Sequence, residues 1–180
     1  MQWLIESIMA KIKAADDFCA WLGTDKDGQV RFYLGKAVAI ENLSTDSKTL
    51  GTAANPLRYA VFTIAPRSGE NLRFMDGSET RNYTMTVHFF ERSTTSVLPC
   101  VEGERLFAAI WQLPASGQID GLSTAEPKWS FHSLHVMADS DPTSPEPTVE
   151  GLWMMQRDFK IRLSATPVPT PTPTPTPTPP

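Results

Sequence analysis

Few residues of this chain combine the type and spacing that chemistry requires, and each candidate meets a local objection. His132 and His135 stand three apart, and His88 is the only other histidine. On a helix that spacing would bring both rings to one side, as a metal pair needs. On the alternating run Trp129–Met137, an odd separation sends them to opposite faces. Asp25-Lys26-Asp27-Gly28 echoes the start of a calcium loop, but the twelfth position, where a bidentate glutamate belongs, is Lys36. A reverse turn is the expected role. Cys100 falls at the start of a predicted helix, where the dipole favours a thiolate, yet no histidine is placed beside it by sequence. The other cysteine is Cys19, and two cysteines supply no disulfide framework; both read as buried free thiols of a reducing compartment. Neither a Gly-rich phosphate loop nor a G-x-S-x-G elbow occurs. No catalytic residue, cofactor or metal site is expected, and the chain reads as a non-enzyme.

Five arginines, Arg58, Arg67, Arg73, Arg81 and Arg92, gather in the middle third. Arg67, Arg73, Arg81 and Arg92 are candidates for a partner-contact surface. Glu70, Asp76, Glu79 and Glu91 are interleaved with them, so a mixed solvated face is the competing reading. The net charge of −4 and pI near 5.4 argue against a dedicated, sequence-specific nucleic-acid binder. No apolar run approaches the roughly 18 residues that span a bilayer, and Met1–Glu6 lacks a basic region before its apolar residues. Neither a membrane span nor a secretory signal is expected.

The elements that must position these residues follow from periodicity. Trp3–Leu22 reads as one amphipathic helix, with Ile5, Ile8, Met9, Ile12, Ala15, Cys19 and Leu22 at helical spacing and Gly23 ending it. Gln29–Glu41 reads as extended chain, and Asn42–Pro56 as a polar loop. Arg58–Ala65 is a strand ended by Pro66. A short segment around Leu72 and Phe74 follows, and Asp76-Gly77 turns the chain. Arg81–Glu91 then places Tyr83, Met85, Val87 and Phe89 on one face and Thr84, Thr86 and His88 on the other, until Phe90 breaks the pattern.

A second helix runs from about Pro99 to Leu113, with Leu106, Ala109, Ile110 and Leu113 as its core stripe. Phe107 and Trp111 form a second stripe on another side. Trp129–Met137 and Leu152–Ser164 are the last strands, joined through an acidic, proline-containing segment, 139–150, expected as an exposed hairpin tip. Residues 1–165 thus form one α+β domain: a mostly antiparallel sheet flanked by an N-terminal helix and a second helix between strands. Residues 166–180 hold eight of the sixteen prolines in a Pro-Thr repeat, expected as an extended or disordered spacer.

Three stretches in this order carry a resemblance to a known family. They are Ile5-x-x-Ile-Met-x-x-Ile12; Tyr83-Thr-Met-Thr-Val-His-Phe-Phe90 leading into Glu104-Arg-Leu-Phe-Ala-Ala-Ile-Trp111; and the closing strand Gln156-Arg-Asp-Phe-Lys-Ile-Arg-Leu163. The pattern, over about residues 1–164, resembles the tail terminator proteins of long-tailed bacteriophages, also called minor tail or tail completion proteins. The resemblance implies a homohexameric ring that caps the tail tube, stops its polymerisation and offers a docking surface to the head–tail connector protein. The implied partners are other copies of the chain, the tail tube protein and the connector, with room for DNA to pass through the ring. The implied location is the tail or neck of the virion, and the host cytoplasm during assembly. The Pro-Thr repeat and the Asn42–Pro56 loop lie outside the family pattern and leave open a related neck or tube protein.

Ring closure requires heterologous contacts, in which different faces of adjacent copies meet. Phe90, Phe107 and Trp111 are the off-pattern aromatics assigned to that subunit interface, against the alternative that they enlarge an intramolecular core. Two further functional readings compete with a structural assembly protein. One is a binding or adaptor module on a Pro-Thr tether. The other is an enzyme built from scattered residues such as Cys100 and a histidine.

Overall fold

The structure, a computed structural model, describes residues 2–35, 42–43, 52, 56–67, 69, 71–75, 77–92, 98–111, 129–136, 146–147 and 152–165. Its three helices are α1 (Gln2–Lys13), α2 (Asp16–Leu22) and α3 (Val101–Trp111). Its strands are β1 (Phe32–Leu34), β2 (Leu57–Pro66), β3 (Leu72–Arg73), β4 (Glu79–Arg92), β5 (Trp129–Val136), β6 (Glu146–Pro147) and β7 (Trp153–Ala165). The main sheet runs β1-β2-β4-β7-β5; β3 pairs with β4, and β6 with β7. Among the described residues, only the β1–β2 pairing is parallel. The expected α+β class, with a mostly antiparallel sheet, is what the chain adopts.

β4 is the spine of the sheet, paired along nearly its whole length with β7 and over Tyr83–Arg92 with β2. Alternation decides which side of it is buried. Tyr83, Met85, Val87 and Phe89 face the helices together with Phe32, Ala60, Phe62, Met155, Phe159, Ile161 and Leu163. Leu4, Ile8 and Ile12 of α1, Phe18 and Leu22 of α2, and Phe107 of α3 close the same core from above. All three helices therefore cover one face. On the other face a smaller cluster of Leu43, Leu57, Tyr59, Val61 and Leu152 gathers at one end, with Tyr33 and Phe90 against it.

Several elements differ from the sequence-based expectation. The N-terminal helix is two helices, because Ala15 takes the non-helical angles φ −99 and ψ 86. The break is stitched locally: the Cys19 thiol donates to the Ile12 carbonyl at 3.1 Å, serving a C-terminal acceptor of α1. Asp16 and Asp17 then open α2, where acids favour the helix dipole. The extended segment expected over Gln29–Glu41 is a strand only at Phe32–Leu34, and residues 36–41 lie outside the described residues.

Phe90 does not break the β4 pattern. It continues the alternation onto the second face, where it stacks on Tyr59 with ring centroids 4.5 Å apart. The second helix starts at Val101 rather than Pro99, and Leu113 and Pro114 lie outside the described residues. So do most of the Asn42–Pro56 loop, most of the acidic 139–150 segment and the Pro-Thr repeat. Leu43 is fully buried, and Glu146–Pro147 pairs back onto Met154 and Trp153.

On α3 the fully buried position is Phe107 of the second stripe, while Leu106, Ile110 and Trp111 are all half-buried against the same core. Ala109 is exposed. The reason lies one turn earlier, at Gly103. A Cβ there would clash with the Trp21 ring, so α3 approaches α2 along its Gly103–Phe107 line. Phe107 then becomes the hub of the core. Its ring centroid lies 5.0 Å from Phe159, 5.5 Å from Phe18, 5.8 Å from Phe89 and 6.0 Å from Phe32.

Candidate functional site

Among the described residues, Glu91, Cys100 and Asp25 are engaged in holding the fold. Glu91 ends the apolar face of β4 and is 2% exposed. One carboxylate oxygen takes the Arg58 guanidinium at 3.0 Å across the β2–β4 ladder. The other accepts the backbone N–H of Cys100 at 2.7 Å. Cys100 immediately precedes α3, at φ +69, so Glu91 anchors the start of that helix to the sheet. The Arg58 guanidinium in turn lies 5.4 Å from the centroid of the Trp21 ring. A buried carboxylate with a cation and a backbone donor as partners is satisfied. The arrangement is a brace.

Cys100 belongs to that brace. Its thiol is buried and donates to the Trp153 carbonyl at 3.4 Å. Burial, with the Glu91 charge beside it, pushes its pKa up to about 12. That is opposite to the depressed pKa a nucleophilic cysteine needs, and the helix start does not rescue it. Cys19 is also shifted upward, by burial and by Asp16.

Asp25 is equally engaged. Its Oδ1 accepts the backbone N–H groups of Asp27 and Gln29, both at 2.9 Å, and its Oδ2 accepts the Tyr33 hydroxyl at 3.1 Å. Gly28, at φ +74, donates its N–H back to the Asp25 carbonyl at 3.1 Å. This is the reverse turn expected for Asp25–Gly28. Arg31, buried beside it, donates to the carbonyls of Thr24 at 2.8 Å and Leu22 at 3.4 Å and so closes the end of α2.

The histidines occupy β4 and β5. His88 lies on the second face of the sheet, with its ring centroid 6.5 Å from that of Phe90. His135 pairs in register with Lys160, and a bulge falls between Phe131 and Ser133, at His132. The side chains of His132 and His135, and with them the expectation that they face opposite ways, lie outside the described residues. Among the described residues no group of three or more His, Cys, Asp and Glu side chains is placed to hold a metal ion.

The residues assigned to a subunit interface fall in different environments. Phe107 is inside the domain and presents nothing to a neighbour. Trp111 is half-buried against the same core, 6.0 Å from Phe107 between centroids. Phe90 is half-buried on the second face. The arginines do not form one surface. Arg67, Arg73 and Arg81 gather near the β3–β4 hairpin, whereas Arg92 ends β4 eleven residues beyond Arg81, about 36 Å away along the strand. Arg81 pairs with Glu79 at 2.8 Å, which raises its pKa, and Arg67 and Arg92 have partners of their own. Arg73 is exposed on β3, in register with Glu79.

The exposed apolar groups are others. Leu72, Phe74 and Met75 stand on the β3–β4 hairpin, Leu98 and Val101 at the start of α3, and Leu34 at the end of β1. Periodicity gives no signal for these, because each sits at the end of an element rather than along one. Glu91 was legible in principle: it is a carboxylate in step with Tyr83, Met85, Val87 and Phe89.

Comparison of the chain with protein-family models gave no match, and a search of curated proteins gave none.

Proposed function

We propose that this protein is a structural component of a phage tail, a ring of six copies that closes the end of the tail tube and meets the head connector. The observation that carries the reading is the order of elements on the sheet. An N-terminal helical segment, an antiparallel pair built on β2 and β4, a returning helix α3 and the closing strand β7 follow one another as in the resemblance. The three helices lie on one face of that sheet; the other carries the smaller apolar cluster at one end and Thr84, Thr86, His88, Gln156, Asp158, Lys160 and Arg162. A second support is the use to which Glu91, Cys100 and Asp25 are put, since each is engaged in the fold.

The interface in this proposal moves from Phe107 to the exposed apolar residues Leu98 and Val101 at the start of α3, with Leu34 on the edge strand β1 as a further contact. Leu98 and Val101 lie beside a helix end held by the Glu91 brace, which gives a neighbour a pre-formed surface. Negative-stain imaging of the purified full chain tests the proposal. Closed annuli with a central opening are expected, and isolated globules of single-chain size at all concentrations would overturn it.

A further inference from the structure

The β3–β4 hairpin exposes apolar side chains that the fold does not cover. Leu72 is 51% exposed, Phe74 48%, and Met75 is fully exposed. Leu72 and Phe74 are two residues apart and so share one face of the hairpin. The turn itself is well formed: the Phe74 N–H donates to the Ser78 carbonyl at 2.9 Å, and the Gly77 N–H to the Phe74 carbonyl at 3.0 Å. Gly77 supplies the positive φ of 83 that closes it. Three apolar side chains grouped on one exposed hairpin form a candidate contact patch.

The register of the sheet says which segment is nearest. β7 ends at Ala165, directly opposite Glu79, and Glu79 is opposite Arg73 on the other side of β4. Two more residues of the same ladder would set 166 and 167 opposite Ser78 and Gly77, beside the hairpin turn. Residue 167 is a proline, as are residues 169 and 171. Without N–H groups these cannot extend the ladder, so hydrogen bonding does not prescribe the path beyond Ala165. Proline-rich chain favours a polyproline II path of about 3.1 Å per residue, so five residues cover about 15 Å, enough to cross a hairpin turn. Proline rings in that conformation pack on aromatic surfaces.

We infer that the start of the Pro-Thr repeat, residues 166–170, docks in cis on Leu72, Phe74 and Met75 of the β3–β4 hairpin, with Pro167, Val168 and Pro169 as the apolar contacts. Tethering makes the contact effective. A flexible link this short gives a local concentration in the millimolar range, so a contact of only millimolar affinity is occupied about half the time. Docking of this kind is independent of the ring, because it concerns a single chain.

Oxidation of Met75 by dilute hydrogen peroxide, followed by peptide mass spectrometry, tests it. The full chain is compared with a chain ending at Ala165 and with a full-length chain in which Pro167, Val168 and Pro169 are serine. Both altered chains are expected to oxidise at Met75 about twofold faster than the full chain, the change that half-occupancy implies. Equal rates in all three would overturn the inference. So would equal protection by the serine-substituted repeat, since the contact would then not depend on Pro167–Pro169. Protection of the shortened chain that rises with its concentration would assign the hairpin to a second copy and overturn docking in cis.

Discussion

Glu91 joins three parts of the molecule through one carboxylate. It takes Arg58 from β2 on one oxygen and the Cys100 N–H on the other, and it is itself a β4 residue. Removing it strands a partly exposed guanidinium and an unpaired backbone donor at the start of α3. Glu91→Ala is therefore expected to cost about 2–4 kcal/mol in urea denaturation, toward the lower end of buried-pair losses because Arg58 keeps some access to water. Cys100 gives a pH signature of the same corner. Its thiol titrates at about 12 in the folded chain against an ordinary value of 9.0. Between those values the unfolded chain has released a proton that the folded chain keeps, so stability falls as pH rises from about 9 toward 12. Urea melts from pH 8 to pH 10 are expected to show a shallower decline in Cys100→Ala than in the natural chain. Equal slopes would mean that the thiol is not held as described.

At the scale of elements, the close approach of α2 and α3 is set by a missing side chain. Gly103 faces the Trp21 ring, and a methyl group there has no room. In an exposed helix, Gly→Ala would stabilise by up to about 1 kcal/mol. Here Gly103→Ala is expected to destabilise by about 1–3 kcal/mol through overpacking, measurable as a lower melting temperature. The same contact explains what was legible in the sequence and what was not. The strand faces were legible, because Tyr83, Met85, Val87 and Phe89 obey a two-residue period that only one burial pattern satisfies. On α3, two stripes at equally good helical spacing compete. Periodicity cannot say that Phe107 becomes the fully buried position, because the deciding partner, Trp21, is 82 positions away from Gly103 in the chain. The break between α1 and α2 was hidden for a different reason: it falls at Ala14 and Ala15, residues that favour helix. The Asp25–Gly28 turn was legible because its mechanism is local, a carboxylate bonding the N–H groups two and four residues on.

Across the whole molecule, the residues that hold the domain are distinct from those that would hold a neighbour. Phe107 belongs to the first group, and the proposed ring assigns the exposed Leu98 and Val101 to the second. A Leu98→Asp, Val101→Asp double variant is expected to keep its melting behaviour within about 0.5 kcal/mol per surface site. It should lose assembly, seen as a drop in sedimentation coefficient to that of one chain. Loss of folding and assembly together would place those residues in the core instead. The proposal that copies of this chain close into a six-membered ring is tested most directly by native mass spectrometry of the full chain at tens of micromolar. A dominant species near 119 kDa, six times the chain mass of 19.9 kDa, is the result expected. A 19.9 kDa species alone across the accessible concentrations would contradict it.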